Sequence, residues 1–536
     1  MASPIIDNTA SSGRERLFKS TSVVGSMTLL SRISGLAREI AFSHWLGAGA
    51  VMDAFVVAFK IPNLLRRFFA EGAFSQAFVP VISEYRSNKS PAESRELIDR
   101  VAGTLGVILF AVTLVGVIAA PVLIIVFAGG FVADDGRYEL ATSMLRLTFP
   151  YLLFISLTAL AGGILNAYRR FAIPAFTPVL LNVVMIVFAG LLAPRLDRPE
   201  LALAGGVFVA GVLQLAFQVP FLLKLGLLPR PRWGWGHEGV RRILRLMLPA
   251  MFGSSVAQIS ILFDTLIASF LAAGSVSWLY YSDRLVEFPL GVFGIALATV
   301  ILPRLSEHHA KASTETFAAT LDWALRLVLL IAVPAAIGLA LLARPLMATL
   351  FYGGEFGERD VAMATASLWA YAPGLIGFIL VKVLAPGYFA RQDMRTPVRI
   401  AVQALALSMI LNVVFVVALV QTEWAPAHAG IAAATTCSAL FNSALLLKGL
   451  LRTGIYRVRP GWRALYAQVL AASAVMTLAL IWSLRQVENW LLLGRLERVA
   501  ILLACVGGAA IVYFSAGWLL GLRVRDLRMR AVDKPV

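Results

Sequence analysis

The sequence predicts an all-α, polytopic membrane protein of about fourteen transmembrane helices. Two six-helix lobes in a parallel pseudo-twofold repeat are followed by two further C-terminal helices. Three observations predict this. Hydrophobic residues make up 59% of 536 positions and mean hydropathy is +0.81, values no soluble globular chain of this size shows. Lys and Arg gather in alternate short loops. The two halves of the chain also echo each other at a steady offset.

In chain order, a polar tail over 1–20 carries Arg14, Arg16 and Lys19. The apolar stretch behind it is too long and too interrupted for a cleaved signal peptide, so the tail reads as cytoplasmic. Stretches 22–46 and 51–84 are long enough to span yet carry charges; the second is too long to cross straight, and Pro62 predicts a kink in it. Stretches 100–129 and 139–168 flank Asp134-Asp135, and 176–194 and 201–228 flank Asp197 and Glu200. Stretches 240–273 and 276–306 meet near Gly274, and 317–343 and 361–391 flank the acid-containing run from Gly353 to Asp360. Stretches 396–420 and 428–452 complete the second six; 462–485 and 496–522 remain as an appendage. The predicted divisions are a 1–20 tail, an N-lobe over 21–230, a C-lobe over 231–455, the last two spans over 456–522 and a basic tail over 523–536.

An even number of spans returns both termini to one side. The tails and alternate loops hold roughly 30 Lys and Arg against roughly 8 in the opposite loops, which makes both termini cytoplasmic. The formal charge of +17 is thereby a matter of topology: there is no soluble domain to offer a basic face to nucleic acid. Cys437 and Cys505 lie in apolar segments and form no disulfide framework, and His44, His237, His308, His309 and His428 are too scattered for a metal site. There is no Walker-type loop, HExxH, GxSxG or aspartate-rich metal motif, so the sequence predicts neither an enzyme nor a cofactor.

The internal echo pairs Leu46-Gly47-Ala48-Gly49 with Leu271-Ala272-Ala273-Gly274, and Val79-Pro80-Val81-Ile82-Ser83-Glu84 with Leu302-Pro303-Arg304-Leu305-Ser306-Glu307. A second echo joins Arg169–Pro174 to Arg391–Pro397, each with an asparagine further on, Asn182 and Asn412. Six spans per unit keep both units in one orientation, as in two-lobed transporters with a cavity between lobes.

Charges inside the spans are the candidate site, because an ionisable group at bilayer depth is costly without a watery cavity or a partner. Arg32 and Arg38 stand on the first span around Ser34-Gly35, with Glu39 as an alternative neutraliser. On the second, Asp53, Lys60 and Arg67 recur every seventh residue and share a face. Arg66 is turned away from Arg67 and is the better cavity candidate, whereas Arg67 and Glu71 are one turn apart and read as a pair. The eighth span carries Asp283, Arg284 and Glu287, in which Arg284 and Glu287 could simply satisfy each other. Asp264 and Lys382 are lone charges, and Asp322 with Arg326 reads as a solvated pair. Guanidinium forks suit a diphosphate, so the sign of the cluster points to an anionic cargo.

These residues resemble the MurJ (MviN) lipid II flippases of the multidrug, oligosaccharidyl-lipid and polysaccharide exporter superfamily. The resemblance is carried by MDAFVVAFKIPNLLRRFFAEGAFSQAFVPVISEY (Met52 to Tyr85), SRISGLARE (Ser31 to Glu39), GSVSWLYYSDRLVEFPLGVFGIALATVILPRLS (Gly274 to Ser306) and VKVLAPGYFARQDMRTPVRIA (Val381 to Ala401). It implies a bacterial inner-membrane protein that moves lipid II, the undecaprenyl-diphosphate-linked disaccharide-pentapeptide, to the periplasmic leaflet. It also implies cavity arginines at Arg32, Arg38, Arg66 and Arg284, an acid at Asp53, Glu39 where some relatives have aspartate, and a lipid-tail groove in the last two spans. The expected mechanism is alternating access around a central cationic cavity. The expected partners are lipid II, membrane lipids and other cell-wall synthesis proteins. The rivals are an exporter or flippase for another polyprenyl-linked oligosaccharide, and a non-transporting scaffold of the cell-wall machinery.

Overall fold

The computed structural model describes residues 8–69, 73–196, 198–310, 313–422 and 424–523. Among these the regular structure is helical, apart from an isolated bridge between Gly353 and Phe356. The first ten helices are α1 (Asn8–Leu46), α2 (Ala50–Phe69), α3 (Ala73–Asn88), α4 (Pro91–Ile118), α5 (Ala120–Ala128), α6 (Asp135–Thr148), α7 (Tyr151–Ala167), α8 (Ala172–Val187), α9 (Pro199–Lys224) and α10 (Glu238–Ser269). The next ten are α11 (Ser275–Pro289), α12 (Ile295–Ala310), α13 (Thr314–Leu341), α14 (Ala343–Leu350), α15 (Glu358–Tyr371), α16 (Gly374–Phe389), α17 (Arg395–Thr422), α18 (Ala427–Arg452), α19 (Trp462–Arg485) and α20 (Arg495–Leu519).

Each predicted stretch coincides with one of these helices or with a consecutive pair. Ten helical spans among the described residues are long and apolar enough to cross a membrane, and eleven if α15 and α16, bent by 45°, count as one broken span. The predicted fourteen exceeds that number. Stretch 22–46 and the α2 part of 51–84 are helical but fall short of the test because they hold charges that depress their hydropathy, while within 240–273 the segment Gln258–Ser269 of α10 counts as a shorter apolar helix. The 51–84 stretch is two helices, α2 and α3, on either side of residues 70–72, which lie outside the described residues and include Glu71. The first residues of the N-terminal tail, and the C-terminal tail from 524 on, lie outside them too.

Prolines mark many of the breaks. Pro121 opens α5, Pro150 precedes α7, Pro289 leads into a π-helical segment over Leu290–Gly294, and Pro373 precedes α16. A proline removes one helical hydrogen bond and crowds the preceding turn, so an apolar run can continue while its axis changes.

The helices group into two units, one ending at Leu46 and resuming over Ala50–Gln258, the other comprising Gly47–Gly49 and everything from Ile259. The boundary falls inside α10. In the first unit α1 packs on α8, α2 on α6 and α7 on α9. Its interior includes Phe42 edge-on to Phe55 at 5.6 Å and the fully buried Phe74 and Phe78 stacked at 5.2 Å. In the second unit α18 packs on α16 and α17, α11 on α15 and α19 on α13. Tyr281, Phe351 and Phe356 form a buried aromatic knot there. Large side chains such as Ile118, Leu478, Trp482 and Ile511 are exposed along these helices, as a protein solvated by lipid requires.

Candidate functional site

Within the first unit, α1 and α8 hold the first-span arginine between them. Arg38 Nη1 donates to Asn182 Oδ1 at 3.0 Å, and Arg38 Nη2 pairs with the neighbouring Glu39 carboxylate. Asn182 Nδ2 in turn donates to Ser31 O at 3.1 Å and to Ser34 Oγ at 2.9 Å. Gly35 lies next to this amide: a Cβ there would make an ordinary van der Waals contact with Asn182 Nδ2 at 3.7 Å. Glu39 is buried, Arg38 is half-buried and Arg32 is exposed. The Ser-Gly pair predicted to help gather polar groups is therefore the seat of the asparagine that orients Arg38.

On α2, Arg66 Nε donates to Asn63 Oδ1 at 2.7 Å in the last turn of the helix, and Lys60 and Arg67 are half-buried. Asp53 lies elsewhere. It is fully buried, with Arg137 Nη1 at 3.9 Å, and Arg137 Nε also bonds Asp134 Oδ2 at 2.7 Å and stacks over Phe131 at 4.8 Å. An ion-pair partner of Asp53 is thus at the start of α6, on a different helix.

In the second unit, Arg284 and Glu287 do pair, at 2.6 Å, with both side chains part-exposed and the guanidinium over the Tyr280 ring at 4.8 Å. Asp283 is half-buried beside them and Lys382 is exposed. Asp264 accepts from Asn412 Nδ2 at 2.6 Å and from Thr435 Oγ1 at 3.4 Å. The supposed solvated pair is different from its expectation. Asp322 is buried, its Oδ2 bonded to Arg326 at 2.6 Å and its Oδ1 to both Tyr456 and Trp462 at 2.8 Å. Two donors from the chain leading into α19 cover this carboxylate, so it is a structural hub.

Asn63, Arg137 and Tyr280 carry no sequence signal that singles them out. Asn182 and Asn412 do carry one, since both belong to the internal echo, but the echo does not say what they hold.

The fold and the charged helices define a multi-pass helical membrane protein. It superimposes on an inward-facing multidrug resistance MATE family transporter of the MOP superfamily with a TM-score of 0.66 at 16% identity, covering 81% of this chain and 98% of that one. The chain belongs to the lipid II flippase MurJ family: the family model with the description "Lipid II flippase MurJ" matches residues 42–500. It is 48% identical over 521 residues to a probable lipid II flippase MurJ of Vibrio cholerae, covering 96% of this chain and 98% of the relative. It is 42% identical over 520 residues to a lipid II flippase MurJ of Burkholderia cenocepacia, covering 96% and 99%. A solved lipid II flippase MurJ in an inward closed conformation has the same fold, with a TM-score of 0.77 at 24% identity over 94% of this chain and 99% of that chain.

Proposed function

We propose that this protein is a flippase that carries lipid II from the cytoplasmic to the periplasmic leaflet of the bacterial inner membrane by alternating access, with both termini cytoplasmic. The observation that carries this reading is the near-full-length similarity to relatives named as lipid II flippases, which spans every charged helix described above. Similar structures are described in both inward-facing and outward-facing conformations, which supports alternating access.

Arg32, Arg38, Arg66 and Arg284 neutralise the diphosphate. Planar guanidinium donors form paired, charge-assisted hydrogen bonds to phosphate oxygens. Arg38 is aimed by Asn182, Arg66 by Asn63 and Arg284 by Tyr280, so each fork is oriented before cargo arrives. Glu39 and Glu287 hold Arg38 and Arg284 between loads, and Asp283, Lys60, Glu71 and Asp53 tune or gate the site. Residues 21–230 and 231–455 act as the two lobes, and 456–522 takes the polyprenyl tail. Other cell-wall synthesis proteins are proposed partners.

The test is periplasmic accessibility of the lipid-linked precursor in cells depleted of this protein and complemented at equal membrane levels. Wild type should restore accessibility, while Arg66→Ala and Arg284→Ala should lower flipping roughly 10- to 100-fold, the size of one lost charged hydrogen bond. Full restoration by the alanine variants would make those arginines structural.

A further inference from the structure

The connection between α9 and α10, residues 225–237, is a non-helical loop whose backbone is fastened to α4. Pro229 and Pro231 have no N–H, and three alternate residues, Arg230, Arg232 and Gly234, donate theirs to α4. Arg230 N donates to Asp99 Oδ1 at 2.7 Å, Arg232 N to Asp99 O at 3.0 Å and Gly234 N to Thr104 Oγ1 at 3.0 Å. Arg100 reaches back from α4 to Trp233 O at 2.6 Å. The two backbones touch: a Cβ on Gly103 would lie 2.2 Å from Arg232 O, and one on Gly234 would lie 2.5 Å from Arg100 Cβ.

With the backbone spent on α4, the side chains turn outward. Trp233 and Trp235 are 56% and 51% exposed, and their rings lie nearly parallel, 10° apart in plane with centroids 6.1 Å apart. Arg230 and Arg232 are exposed beside them, as is Arg245 on α10. None of these three has a carboxylate within ion-pair distance among the described residues, and the nearby Asp99 carboxylate is occupied by the loop backbone. The height of the loop on α4 is also informative. Asp99 to Thr104 is where α4 passes from Glu93, Arg95, Glu96, Asp99 and Arg100 into the apolar run beginning at Val101. That transition marks the headgroup layer, where tryptophan rings settle with one side in hydrocarbon and one in water.

We propose that this loop is a preformed binding site for the headgroup of an anionic glycerophospholipid in the cytoplasmic leaflet, Arg230 and Arg232 taking the phosphate and the Trp233–Trp235 pair the glycerol and upper acyl region. The loop's charge and aromatic surface complement such a lipid: guanidinium groups bond phosphate with charge assistance, and basic side chains at the surface draw anionic lipid from the bilayer. The placement in the cytoplasmic leaflet rests on the proposed topology; the identity of the cargo does not enter.

The experiment uses full-length protein in phosphatidylcholine vesicles containing a minor fraction of lipid brominated near the glycerol, either phosphatidylglycerol or phosphatidylcholine. The chain has 11 tryptophans, so the contribution of the pair is the quenching lost in a Trp233→Phe/Trp235→Phe variant. Brominated phosphatidylglycerol should quench the pair several-fold more than brominated phosphatidylcholine. The preference should fall to near parity in Arg230→Gln/Arg232→Gln and should shrink with added salt in the wild type. Equal quenching by both lipids would reduce the loop to an apolar anchor, and no quenching of the pair by either would place it in water facing a soluble partner; both overturn the proposal. No flipping is read, so failure here leaves the flippase reading untouched. The salt series needs only the Trp233→Phe/Trp235→Phe subtraction and stands even if the arginine-substituted loop misfolds.

Discussion

At the scale of single residues, the internal charges divide into those held ready and those locked away. Asp53 is locked. It has no exposed surface, and Arg137, itself bonded to Asp134, supplies its ion-pair partner. Removing one member of a buried pair takes a charge partner from the other, at a cost of up to about 3–5 kcal/mol. Asp53→Ala and Arg137→Ala should therefore each lower stability by about 3 kcal/mol, while the double variant should cost clearly less than the two added together. Melting of the purified protein in detergent reads this; additive losses would show that the pair is not coupled. The sequence reveals that Asp53 is out of place in an apolar helix, since charge in hydrocarbon is conspicuous from one strand of text. It does not reveal Arg137, because the pairing depends on how α2 meets α6. The same holds for Arg38, whose position is legible and whose Asn182 support is only hinted at by repetition.

Among the helices, length and hydropathy are legible and breaks are less so. Apolar runs mark where helices lie, but α6 and α7, or α15 and α16, read as single stretches because the side chains stay apolar across the bend. Close approach is legible only as an isolated glycine. Gly377 of α16 lies so near α18 that a Cβ would meet the Ala439 carbonyl carbon at 2.7 Å. Backbone cannot yield as a side-chain tip can, so Gly377→Ala should force the helices apart at about 1–3 kcal/mol, seen as a lower melting temperature. Helix ends offer a second test. Asp134 caps α6, and its hydrogen bond from Arg137 holds its carboxyl below the ordinary value of 3.8. A depressed carboxyl contributes stability that is fully present above its unfolded pKa and lost as pH falls through the folded one. Wild type should therefore lose melting temperature on acidification below about pH 4 more steeply than Asp134→Asn, which has no such proton to take up; parallel acid profiles would dismiss the cap as a pH-linked element.

For the whole molecule, the internal echo extends from letters to geometry. Arg169 and Gln392 are the two non-glycine residues with positive φ among those described, at 61° and 60°, and both lie in the turns that the sequence pairs. Each unit also sets an acidic residue of one helix near an asparagine of the echoed one, Glu39 beside Arg38 and Asn182 in the first, Asp264 with Asn412 in the second, about 225 residues apart along the chain. The echo is not a copy: the first unit carries an arginine at this point and the second does not. If the unloaded site is net positive, an inside-negative potential draws it toward the cytoplasmic side by up to about 2.3 kcal/mol per charge for each 100 mV crossed. Bound diphosphate cancels that pull, so voltage acts on the empty return and leaves the loaded step nearly alone. Dissipating the potential at constant pH should thus slow steady-state flipping in cells or energised vesicles while a single loaded turnover stays close to its original rate. Steady-state flipping that persists unchanged at zero potential would mean that the reset is driven by something other than the charge of these arginines.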